Sequence, residues 1–137
     1  MNHYTWQELS VGLEEHFKVT VTSAMMDQFK EITGDDNPLH CSEDFAAGKG
    51  YPARVVYGML TASFLSALAG VYLPGEQSLI HSVESKFLKP VFPGDELVVS
   101  GVVDEMDERF RIIRLKTLIC NQKGEKVLRG SMQIGVK

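Results

Sequence analysis

The chain has 137 residues, of which 44% are apolar and 23% charged, with a formal net charge of -4 at pH 7. That length makes one domain, long enough for a real core and too short for two. An acidic balance without a Lys/Arg stripe sets nucleic acid aside as a partner, because phosphates repel such a surface.

Cys41 and Cys120 are the only cysteines, too few for a disulfide framework. The start, Met-Asn-His-Tyr-Thr-Trp, shows no charged residues followed by an apolar run, so no signal peptide is expected. The longest apolar run, Val55 to Leu73, is interrupted by Gly58, Thr61, Ser63, Ser66 and Gly70. It reads as a buried helix and not as a membrane span. A reduced, cytoplasmic protein is the expectation.

In chain order, Trp6, Leu9, Val11 and Leu13 form a lead-in segment. Phe17, Val19 and Val21 alternate with Lys18, Thr20 and Thr22, the period of a half-buried strand. Thr22 or Ser23 caps a helix over about 24–32 whose apolar face is Met25, Met26, Phe29 and Ile32. Gly34 stands where a left-handed residue ends such a helix. After His40, Ser42 caps a short helical turn anchored by Phe45, and Gly48, Gly50 and Pro52 break regular structure. Gly58 to Val71 is apolar nearly all round, with only small polar members, and is expected to be buried.

The second half alternates. Strands are expected from about Leu79 to Leu88, Leu97 to Met106, Arg111 to Cys120, and from the Asn121-Gln122-Lys123-Gly124 hairpin to about Val136. Pro90 and Pro93-Gly94-Asp95 mark a turn. Four strands behind one apolar helix imply an antiparallel sheet curled around that helix, an α+β fold.

Chemistry concentrates in Thr33-Gly34-Asp35-Asp36-Asn37-Pro38-Leu39-His40. Pro38 fixes its own φ and pushes Asn37 into extended geometry, so a carboxylate and an imidazole share a stiff bend. Read alone, Asp35 is a turn residue, since Gly-Asp and Asn-Pro are turn chemistry. His3, His16 and His81 read as packing or capping residues. Asp35, Asp36, His40, Glu43 and Asp44 lack calcium-loop spacing, with Ala46 where a glutamate belongs, so no metal is expected. No Gly-x-Ser-x-Gly elbow or phosphate-binding glycine loop is present, and no organic cofactor is implied.

The run Gly34 to His40 resembles the hydratase motif of the MaoC-like (R)-specific enoyl-CoA hydratases and dehydratases. The similarity continues through Val55-Val56-Tyr57-Gly58-Met59-Leu60 and through Phe87-Leu88-Lys89-Pro90-Val91-Phe92-Pro93-Gly94-Asp95. The resemblance implies a hot-dog fold, a curved antiparallel sheet wrapped around a long central helix. It implies that Asp35 and His40 are the catalytic pair holding a water. It also makes Gly58, Asn37, Ser63 and Tyr57 substrate-binding or oxyanion residues, with Gly58 giving a backbone N–H to the thioester oxygen. Asn37 would hold the loop in shape. Ser63 would support the site, or bond backward to its own helix. Tyr57 stands where many relatives have histidine.

The expected activity is (R)-specific hydration of trans-2-enoyl thioesters, or dehydration of (R)-3-hydroxyacyl thioesters, by a homodimer. The carrier, CoA or acyl-carrier protein, stays open. An imidazole with a reference pKa of ~6.5 suits a base near neutral pH, so His40 is assigned to activating the water and a partly buried Asp35 to exchanging the α-proton, with the reverse assignment left open. The acyl chain is expected to run past Ala62, Ser66 and Ala69. Lys49, Arg54, Lys86 and Lys89 are candidates for the carrier's phosphates. A thioesterase on the same fold and a non-catalytic acyl-binding subunit are the alternatives.

Overall fold

The computed structural model describes residues 1–137. A 3-10 turn at Trp6–Glu8 precedes β1 (Glu14–Thr20), α1 (Ser23–Thr33), α2 (Pro38–Cys41), α3 (Glu43–Gly48) and α4 (Gly58–Ala67). A π-helical turn, Leu68–Tyr72, extends α4. Then come β2 (Ser78–Phe87), β3 (Glu96–Asp107), β4 (Ile112–Cys120) and β5 (Lys126–Val136).

The helix-end signals act as their chemistry dictates. Thr22 Oγ1 accepts the Met25 N–H at 3.1 Å, and Gly34 closes α1 with φ at 73°. Asn-Pro, read from sequence as a turn, instead starts a helix. Asn37 caps α2 by accepting the Leu39 N–H at 3.0 Å, and Pro38 takes the first helical position, where its missing N–H costs nothing. His40 therefore rides on a helical turn and not on a free loop.

The five strands form one antiparallel sheet in the order β1-β3-β4-β5-β2. β3, β4 and β5 are successive hairpin neighbours, but β2 skips its successor and pairs with β5, Phe87 facing Leu128. The connection 88–95 carries Pro90 and Pro93, which lack an N–H and suit a crossover better than a tight hairpin. It delivers β3 to the side of β1, and β2 is left on an edge.

Alternate residues of the sheet face α4. Val99 and Val103 of β3, Ile113, Leu115 and Ile119 of β4, and Leu128, Met132 and Ile134 of β5 are buried together with Leu60, Leu65 and Leu68. Each such side chain stabilises the fold by about 1.5–3 kcal/mol through removal from water. Gly101 makes the helix approach possible, since a Cβ there would lie 3.0 Å from Leu68 Cδ2.

Three expectations about packing are corrected. α4 is not buried all round: Met59, Ser63 and Ser66 form an exposed stripe at helical spacing, because one sheet covers only one side of a helix. Ile32 is 81% exposed and is not part of the α1 core face. In α3 the anchor is Ala46, wholly buried, while Phe45 turns outward with the Lys49 ammonium over its ring. No helix is long and apolar enough to cross a membrane.

Candidate active site

The end of α1, the turn into α2 and the start of α4 meet at one place. Phe29, Thr33, Asp35, His40, Tyr57, Gly58, Met59 and Phe87 line a cavity of about 400 Å³. A second cavity of about 310 Å³ shares His40, Gly58 and Phe87, and adds apolar residues including Val56, Val91 and Val127. The imidazole and the first residue of α4 thus stand at the junction of the two.

Asp35 is held by its own neighbours. Its N–H donates to Thr33 Oγ1 at 3.1 Å, and Thr33 in turn bonds back to the Phe29 carbonyl. Its Oδ1 accepts the Asn37 N–H at 3.1 Å. One carboxylate oxygen is therefore committed to the turn, while Oδ2 has no partner within the chain. The residue is exposed in the single chain, contrary to the partial burial expected of it. It lines the cavity beside Thr33 of α1 and Tyr57.

His40 is oriented by tertiary structure. Its Nδ1 lies 2.6 Å from the Val55 carbonyl oxygen. A carbonyl only accepts, so Nδ1 carries the hydrogen and Nε2 keeps its lone pair. The ring stacks on Tyr57 with centroids 4.3 Å apart. Arg54 donates to the His40 carbonyl and pairs with Asp27 and Glu43.

Tyr57, expected to touch substrate, is buried, and its hydroxyl donates to the Asp35 carbonyl at 2.7 Å. The Cys41 thiol lies 3.7 Å from the same hydroxyl oxygen. Burial, reinforced by that thiol, pushes the phenol up to about 12, so the hydroxyl stays protonated and keeps donating throughout the neutral range.

Gly58 is the first residue of α4, and neither its N–H nor that of Met59 has an acceptor within the chain. Unpaired N–H groups at a helix start carry partial positive charge and suit an oxyanion. A Cβ on Gly58 would meet the Phe87 ring at 3.1 Å, so glycine here keeps the approach open.

The other expected residues divide. Asn37 shapes the turn, as expected of it. Ser63 donates to the Leu60 carbonyl at 2.6 Å, is exposed, and lines neither cavity. That is the backward helix bond, a short hydroxyl's readiest partner. Ala62, Ser66 and Ala69 also line neither cavity; α4 contributes Gly58, Met59 and Thr61 instead. Of the phosphate candidates, Arg54 is consumed by its ion pairs, Lys49 lies over Phe45, and Lys89 pairs with Glu125 at the second cavity. Lys86 lines a polar groove with Arg114 and Arg129, apart from both cavities. Sequence reasoning missed the Val55 carbonyl, since a backbone acceptor has no residue signature. It also missed the site roles of Phe29, Thr33 and Phe87, which only the fold brings together.

Comparison with known proteins agrees with this geometry. The chain is 37% identical over 131 residues to a 3-hydroxybutyryl-CoA dehydratase of Methylorubrum extorquens, covering 96% of this chain and 83% of that one. It is 35% identical to an (R)-specific enoyl-CoA hydratase of Aeromonas caviae, covering 90% and 92%. Among solved structures, the (R)-hydratase from A. caviae superposes with a TM-score of 0.92 at 33% identity, covering 96% of this chain and 99% of that one. An R-hydratase from Pseudomonas aeruginosa gives 0.91 at 29% identity, covering 96% and 84%. These neighbours share the hot-dog architecture of sheet and central helix. The pattern of the MaoC like domain matches residues 9–121, and the chain belongs to that family.

Proposed function

We propose that the chain is a hydro-lyase that adds water to trans-2-enoyl thioesters with (R) stereochemistry, and removes it from (R)-3-hydroxyacyl thioesters. The observation that carries this reading is the shared cavity: Asp35, His40 and the unpaired Gly58 N–H all border it. In the hydration direction His40 Nε2 takes a proton from water as the water oxygen bonds to C3. Negative charge develops on the thioester oxygen, where the Gly58 N–H stabilises it; losing such a donor typically costs about 2.7–4 kcal/mol. The Asp35 carboxylate receives the imidazolium proton and passes it to C2, so both groups end as they began. Both groups belong to one bend, so both protons are handled from one face of the double bond. The equilibrium of the substrates decides the net direction.

CoA thioesters are the proposed substrates, supported by two relatives named for CoA substrates that are 37% and 35% identical over 96% and 90% of this chain. The reading extends to a homodimer formed along β2. That strand has an unpaired edge and exposes Leu79, Val83 and Phe87, and Met59 is 67% exposed on α4. An apolar edge strand of this length is a ready surface for a second copy. A cytoplasmic setting belongs to the same proposal, in keeping with two unpaired cysteines.

Crotonyl-CoA hydration tests the activity. Loss of enoyl absorbance without free thiol, with (R)-3-hydroxybutyryl-CoA as product, is expected. Thiol release would make the chain a thioesterase, and no turnover would leave it a binding subunit. Light scattering after size exclusion is expected to give twice the chain mass.

A further inference from the structure

We propose that Tyr57 is a positioning residue that aims both members of the Asp35–His40 pair. Its hydroxyl ties down the Asp35 backbone, and its ring backs the imidazole. This rests on the hydratase reading above and adds the residue that makes the pair converge.

Every other hydrogen bond of Asp35 is made within residues 33–37. The α2 end of the bend is tied to the Val55 backbone through Leu39 and His40, but within residues 33–37 the one hydrogen bond to a distant part of the chain comes from Tyr57, 22 positions beyond Asp35. The same side chain stacks on His40 at 4.3 Å on one side and packs against Phe29 at 5.0 Å on the other. Only 2% of Tyr57 is exposed. Its hydroxyl hydrogen is committed to the Asp35 carbonyl and its oxygen faces the Cys41 thiol. Such a group has nothing left to offer a substrate. It acts through its neighbours.

The two contacts can be removed separately. Tyr57→Phe keeps the stack and deletes the bond. The expected result is a fall in kcat for crotonyl-CoA of about tenfold, with KM within about twofold, since displacing a catalytic group costs turnover before affinity. In an Asp35→Asn background the same change should alter kcat by less than about twofold, because the group being aimed is already gone. Tyr57→Leu removes the ring as well, and kcat should fall about a hundredfold. Amide exchange at Asn37 and Leu39 should speed up in Tyr57→Phe.

A raised KM with unchanged kcat would make Tyr57 a substrate contact and overturn the proposal. Equal losses in both backgrounds, or unaltered exchange, would overturn it too. A wild-type chain that does not hydrate crotonyl-CoA sinks the hydratase reading instead. Amide exchange then decides alone whether the phenol orders the turn.

Discussion

Two tight polar bends of this molecule are built from the same parts and end differently. In 121–125, Asn121 Oδ1 accepts the N–H groups of Lys123 and Glu125, and its amide donates to the Glu125 carboxylate. In 33–41, Asp35 Oδ1 accepts the Asn37 N–H and Asn37 Oδ1 accepts the Leu39 N–H. Each is a chain of short side chains closing on nearby backbone, which is ordinary turn chemistry. The first bend joins β4 to β5, and its outside contacts are exposed surface bonds, Gln122 with Asp95 and the Glu96 N–H and Glu125 with Lys89. The second is met from outside by the Tyr57 hydroxyl and the Val55 carbonyl. Those partners leave Asp35 Oδ2 and His40 Nε2 free beside a cavity. Local chemistry makes a turn; groups from elsewhere in the chain make it a site.

The strongest way to break that contrast is to remove the free atoms while keeping the turn. Asp35→Asn retains an oxygen for the Asn37 N–H, so the thermal midpoint should barely move while kcat drops by about 10²–10⁴. His40→Ala should cost similar activity, plus about 1 kcal/mol of stability from the lost bond to Val55. Steady-state kinetics beside thermal melts reads both.

The opposite result is expected of the other bend. Asn121→Ala strands two backbone N–H groups and should destabilise the fold by about 1–2 kcal/mol, lowering the midpoint by several degrees with kcat unchanged.

The smallest effect concerns Glu125, whose carboxyl is held below its usual range, first by its bond to Lys89. A depressed carboxylate contributes stability above its unfolded pKa and loses it as pH falls through the lower folded value. Lys89→Met should therefore destabilise slightly at pH 7. The deficit should vanish once the pH has fallen through the depressed folded value, and it should shrink in high salt, because both groups are substantially exposed. Urea melts across pH check it.

Much of this was legible in residue order because it depends on near neighbours. Thr22 and Gly34 bound α1, the glycine of Asn121-Gln122-Lys123-Gly124 marks a hairpin, and period-two alternation marks β3 and β4. Where a rule had two local readings, sequence could not choose. Asn37-Pro38 serves a turn or a helix start, and Ser63 a site or its own helix. Phe45 and Ala46 are adjacent, and only the body of the protein decides which of them turns inward.

Residue order alone determined most of the elements and their ends, and it singled out Asp35 and His40 as the proposed acid and base, since capping, alternation and proline geometry act within a few positions. Tertiary structure decided the strand order, the exposed stripe on α4 and the free faces of Asp35 and His40. Each of these depends on groups 22 or more residues apart, Tyr57 with Asp35 and β2 with β5. No local pattern encodes such meetings; they follow from which arrangement buries the most apolar surface around one helix.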